Sequence, residues 1–114
     1  MQQVTRSIYI VDAGETVTVE IEATKVGLFV TFAMDGALLT PISTTPRVYR
    51  FTVTVPAGHT HFGMFSFFFP NAAPDDAKYQ VFVSGSSGGG KFTGSDVFKS
   101  DFPAWRRGIE FRRI

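Results

Sequence analysis

The chain has 114 residues, a formal net charge of +1, no cysteine and 18% charged residues. Such a length suits one domain able to bury about two thirds of its unfolded surface without metals or disulfides, and an apolar content of 44% belongs to globular rather than disordered or fibrous chains. Near-neutrality excludes a surface built throughout to attract nucleic acid; the lack of thiols excludes a disulfide framework, a thiolate nucleophile and thiolate zinc sites, and selects neither redox compartment.

Along the chain, apolar residues recur at every second position with threonine or charge between them, the pattern of half-buried strands. The first strand is expected from Val4 to Val11, with Val4, Ile8 and Ile10 on one side. The opening MQQVTRSIYIVDAGE has no charged leader followed by a long apolar run, so an exported protein would carry its signal outside this sequence or in another form. After a turn at Asp12-Ala13-Gly14, Val17, Val19, Ile21 and Ala23 point inward, and Thr16, Thr18, Glu20, Glu22 and Thr24 outward. A third strand runs from Val26 to Met34 with Val26, Leu28, Val30, Phe32 and Met34 on one side, and Asp35-Gly36 after it is a two-residue hairpin signal.

Next, Tyr49, Phe51, Val53 and Val55 alternate with Arg50, Thr52 and Thr54, closing on a turn at Pro56-Ala57-Gly58. The run Phe65, Phe67, Phe68 and Phe69 then puts large rings on both faces of one strand. Tyr79, Val81 and Val83 face inward in a further strand, with Lys78, Gln80 and Ser84 outward. Ser84 to Gly90 reads as a long flexible loop, and Ile109 and Phe111, alternating with Glu110 and Arg112, as a last strand. Prolines 41, 46, 70, 74 and 103 fall outside the alternating runs, as residues that cannot donate to a ladder should. No helical period interrupts this series. The expectation is an all-β chain, an antiparallel β-sandwich, immunoglobulin-like or jelly-roll-like, of about seven to eight strands and formed by residues 1–114 as one domain, with a small barrel as the alternative. No segment approaches the length of a bilayer span.

Several places offer chemistry. The aromatic strand is a buried central strand or, where one face is open, an interface carried by Phe67 and Phe69. Trp105-Arg106-Arg107 sets the one tryptophan beside two guanidinium groups, the side chains most often found as binding anchors, in a region (residues 91–114) that carries a net +3. The same tryptophan also suits a plug closing one end of the sandwich. His59-x-His61 puts two imidazoles on one strand face within reach of one metal; a third ligand from Asp75, Asp76, Asp96 or Glu110 is required. This pair resembles part of the metal-binding pattern of cupins, with Met64 to Phe69 standing where that pattern has a glutamate. Asp75-Asp76 lacks the dense oxygen series of a calcium loop. Gly85 to Lys91 has phosphate-loop spacing but is followed by Phe92 where a Ser or Thr hydroxyl is needed, and by no helix.

No acid, base and nucleophile cluster together in this pattern. The expected function is therefore a non-catalytic binding or assembly module contacting another protein or copies of itself. The alternatives are a carbohydrate-binding module stacking a sugar on Trp105 or Tyr9, and a metal-dependent enzyme using His59 and His61. No cofactor and no nucleic acid partner are expected.

Overall fold

The computed structural model describes residues 1–24, 29–56, 60–68, 78–86, 88–92, 94 and 104–113, with the strand placement alone at 43, 68, 88–92, 104 and 105. These residues form only strands and turns: β1 (Gln2–Thr5), β2 (Ile8–Val11), β3 (Thr16–Ala23), β4 (Phe29–Met34), β5 (Ala37–Leu38), β6 (Ser43–Thr44), β7 (Val48–Thr54), β8 (Thr60–Phe68), β9 (Tyr79–Gly85), β10 (Gly88–Phe92) and β11 (Ala104–Arg113). They make two sheets. The six-stranded sheet has the order β1-β2-β11-β8-β4-β5 and the five-stranded sheet β10-β9-β3-β7-β6. All pairings are antiparallel except β2 with β11, which run parallel with Ile8 opposite Glu110.

The alternation expected of β3, β7 and β9 is what these strands show. Val17, Val19, Ile21, Phe51, Tyr79, Val81 and Val83 are buried, and Thr52, Gln80 and Ser84 are exposed. The pleat forces this result, since one face of each strand packs on a sheet and the other meets water. The Asp35-Gly36 reversal is also as expected: φ is +50° and +85°, both central residues being left-handed as a type I′ hairpin demands. Val26, Leu28, Ala57 and Gly58 lie outside the described residues.

Two expectations are corrected. The strand foreseen from Val4 to Val11 is a hairpin, β1 and β2 joined by Arg6-Ser7, with the Ser7 N–H donating to Thr5 Oγ1 at 3.3 Å. Its core side chains are Tyr9 and Val11, so Ile8 and Ile10 belong to the opposite, half-buried face. Likewise the glycine-rich stretch after Ser84 is not a long loop. Gly88 pairs with Gly85 and Phe92 with Val81, so β9 and β10 form a hairpin, and β10 is the edge of its sheet.

The sheets meet through one apolar cluster drawn from both. Phe32 stacks on Phe65 at 4.7 Å within its sheet and meets Phe51 of the facing sheet edge-on at 5.6 Å. Phe67 lies 4.4 Å from Tyr79 across the same gap. These offset and edge contacts are the arrangements that aromatic quadrupoles favour. Gly63 is what lets Phe32 lie flat: a Cβ there would come within 2.5 Å of Phe32 Cε2 and 2.6 Å of its Cζ.

Candidate functional site

The outer faces of the two sheets differ in chemistry. On the five-stranded sheet the outward positions are Thr16, Thr18, Glu20, Val48, Arg50, Thr52, Gln80 and Phe82, the valine and phenylalanine half-buried, with Glu20 and Arg50 facing each other and joined at 2.6 Å. On the six-stranded sheet the outward residues of β8 are Thr60, Phe62, Met64 and Ser66, since His61, Gly63, Phe65 and Phe67 take the inward positions. Phe62 is 60% exposed, Met64 42% and Phe29 of β4 56%. The register sets Met64 between Ala33 of β4 and Gly108 of β11, and sets Phe62 beside Glu110, which in turn is opposite Ile8. Ile8, Phe62, Met64 and Gly108 form an apolar patch interrupted by Glu110, with Phe29 set apart beyond Thr31 and Ser66, and exposed apolar patches mark interfaces on globular proteins.

A shallow groove of about 350 Å³ crosses this surface, walled by Ile8, Phe62 and Met64 and floored by Gly108. Neither backbone nor packing calls for glycine at 108. The left-handed glycines are 14 and 36, and a Cβ at 108 would meet only Met64 Cε at 3.7 Å and the Gly63 carbonyl oxygen at 3.8 Å, ordinary contacts. Glycine inside a strand weakens it, and often marks a place where a ligand or another backbone approaches closely. The charges on β11 flank this position. Arg106 is exposed and makes no hydrogen bond or ion pair among the described residues, while the Glu110 carboxylate accepts from Arg112 Nε at 3.1 Å.

At the end of β8 beside the Asp35 turn, on the inward side of the strand, sits a histidine–carboxylate pair. His61 is 8% exposed, and its Nδ1 lies 2.6 Å from Asp35 Oδ2. Asp35 Oδ1 accepts the Phe62 N–H at 3.0 Å, and the Asp35 N–H donates to the Phe62 carbonyl at 2.8 Å. The Phe62 N–H above all, and then the His61 ring, hold the Asp35 carboxyl below the ordinary carboxylate range. The hairpin turn thus clamps the backbone that carries Phe62. His61 Nε2 is buried without a hydrogen-bond partner. A carboxylate on Nδ1 is the support a metal-ligating histidine usually has, yet among the described residues no three His, Asp or Glu side chains converge.

The one buried carboxylate among the described residues is structural. Glu15 is 3% exposed, accepts the Asp12 N–H at 3.1 Å and pairs with the Met1 ammonium at 2.9 Å. A small polar hollow at the end of the five-stranded sheet, bounded by Glu22, Arg47 and Gln80, collects no such convergence of groups.

The residues singled out from sequence scatter. Phe67 is 1% exposed and belongs to the core, so the open face of its strand is carried by Phe62 and Met64 instead. Arg106 lies on that face, opposite Ser66; Arg107 takes the inward parity opposite Phe65 and is half-buried. Trp105 pairs with Phe67 in the ladder. Tyr9 is fully buried and offers no ring to a sugar; burial pushes its phenol up to about 12. Phe69, His59, Asp75, Asp76 and Asp96 lie outside the described residues. Gly85 and Gly88 to Lys91 are strand residues, which leaves no phosphate cradle in front of a helix. No helix among the described residues is long and apolar enough to cross a membrane. Sequence reading missed Gly108, Phe62 and Met64; the available signal was the two-faced apolar run from Phe62 to Phe67, whose outward half was not separated from its inward half.

Scanned against protein-family models, curated proteins and solved structures, the chain has no significant match in any of the three, so its function is argued from this surface alone.

Proposed function

We propose that the chain is a non-catalytic binding or assembly module whose protein-docking surface is the outer face of the six-stranded sheet. The observation that carries this reading is the asymmetry between the two outer faces: polar side chains around half-buried Val48 and Phe82 on one, and the exposed Phe62 and Met64 beside Gly108, with the groove, on the other. Phe62 and Met64 are 60% and 42% exposed, so about half of the roughly 1.5–3 kcal/mol that full burial of each side chain is worth is left for a docked partner to recover. The strand order supports an immunoglobulin-like rather than a jelly-roll sandwich, since β3-β7-β6 faces β4-β8-β11 as strands B-E-D face C-F-G in that fold.

The test is binding of an environment-sensitive apolar dye to dilute protein. Exchanging Phe62 and Met64 together for serine is expected to abolish dye binding while leaving the melting temperature within a few degrees, because both side chains stand clear of the core. Dye binding that survives the double exchange sinks the reading.

A further inference from the structure

Resting on that reading, we infer that the occupant of this face is a second copy of the chain, related by a two-fold axis that lies in the plane of the interface, crosses the strands and passes over Gly108. Three observations lead there. First, Arg106 and Glu110 sit two residues to either side of Gly108 on the outward face of β11. Such an axis reverses the strand direction, so Arg106 of one copy is set over Glu110 of the other, twice. Arg106 has no ion pair within its own copy among the described residues, and Glu110, whose Oε2 takes Arg112 of its own strand at 3.1 Å, has its second carboxylate oxygen for the partner's Arg106.

Second, the same reversal is sterically matched. Phe62 pairs with Glu110 and Ser66 with Arg106 in the ladder, so the large Phe62 ring of one copy falls on the small Ser66 of the other. Gly108, the glycine that the fold does not require, lies on the axis, where two backbones come closest. Met64, opposite Gly108 in the ladder, lies on the axis as well, so the two Met64 side chains meet beside the paired glycines, and their unbranched chains bend into that hollow to give the self-complementary surface that an isologous interface requires.

Third, the register lays the same two strands of each copy over each other: about an axis over Gly108, nine residues each of β8 and β11 cover their own images, while β1, β2 and most of β4 fall to one side of it. Two strands about 4.8 Å wide and some nine residues of about 3.3 Å give a contact on the order of 300 Å² per copy, so roughly 600 Å² in all, the size of a weak, transient interface. The sheets of the two copies would pack as aligned sheets do, through interdigitating side chains.

The experiment is light scattering coupled to size exclusion, over a range of protein concentrations, on the wild type and three variants. The wild type is expected to rise from the mass of one chain toward twice that mass as concentration increases. Gly108→Val fills the hollow on the axis and is expected to give a well-folded monomer. Arg106→Glu and Glu110→Arg each set like charges together twice per dimer, and each is expected to weaken dimerisation about tenfold or more. Mixing these two single variants is expected to restore a dimer, since each charge then meets its opposite across the axis. A dimer whose mass ignores all three changes, or a mixture that stays monomeric, overturns the arrangement.

A monomeric wild type overturns it as well, and the dye then separates the two ideas. Dye that binds this monomer and is lost on exchanging Phe62 and Met64 shows a face made for a different partner. A monomer that binds no dye removes both the second copy and the docking surface.

Discussion

Two glycines on neighbouring strands, Gly63 and Gly108, should respond to the same substitution with opposite signs. At Gly63 the added methyl of Gly63→Ala lands 2.5 Å from Phe32 Cε2, 2.6 Å from Cζ and 3.2 Å from Ile109 Cγ1. Phe32 has nowhere to withdraw, being 0% exposed, stacked on Phe65 and edge-on to Phe51. The ring must move by about 1 Å to restore a carbon–carbon contact of about 3.5 Å. Overpacking of this kind costs about 1–3 kcal/mol, partly offset by about 0.5–1 kcal/mol from stiffening the unfolded chain. The net loss is about 1–2 kcal/mol, or roughly 4–8 °C for a domain of this size. At Gly108 the methyl meets only contacts of 3.7 and 3.8 Å, so Gly108→Ala keeps the chain-stiffening gain and should raise the melting temperature by about 2–4 °C. Thermal unfolding followed by circular dichroism, at a dilution where the scattering mass is that of a single chain, measures both without contribution from association. A Gly63→Ala protein that melts with the wild type would refute the account of Phe32, and a Gly108→Ala protein that melts lower would refute the statement that the fold has no use for that glycine.

Other perturbations test the polar groups. Tyr9 is buried with an unpartnered hydroxyl and a phenol raised to about 12, so its neutral form is favoured by the fold. Stability should be intact below about pH 10 and fall between there and pH 12 by up to about 2.7 kcal/mol, and Tyr9→Phe should lose less in that window while being neutral or slightly stabilising at pH 7. The Asp35 carboxyl is depressed in the fold by the Phe62 N–H and by His61, so its contribution is present above about pH 4 and lost as pH falls through the folded value. Asp35→Asn, which keeps the left-handed turn, should flatten that part of the acid unfolding curve; an unchanged acid limb would count against the clamp. The exposed Glu20–Arg50 pair should matter little, with Arg50→Ala costing under about 1 kcal/mol in urea unfolding.

The local pattern of residues determined the parts of this protein that depend on a period of two. Val17, Val19 and Ile21, or Tyr79, Val81 and Val83, announce a strand with one dry face, and Asp35-Gly36 announces its own turn, because side-chain alternation and left-handed φ are properties of a few consecutive residues. Periodicity tells which residues share a face but not which face is covered. In β2 the isoleucines looked like the core, and the neighbouring sheet in fact covers Tyr9 and Val11. In β8 both parities are apolar, so only the facing sheet decides that Phe65 and Phe67 pack on Phe32 and Tyr79 while Phe62 and Met64 are left to the outside. The candidate site was illegible for the same reason. Ile8, Phe62, Met64 and Gly108 come from three strands far apart in the chain, and their adjacency follows from the parallel pairing of β2 with β11 and the antiparallel pairing of β11 with β8, long-range contacts that no short stretch of sequence encodes.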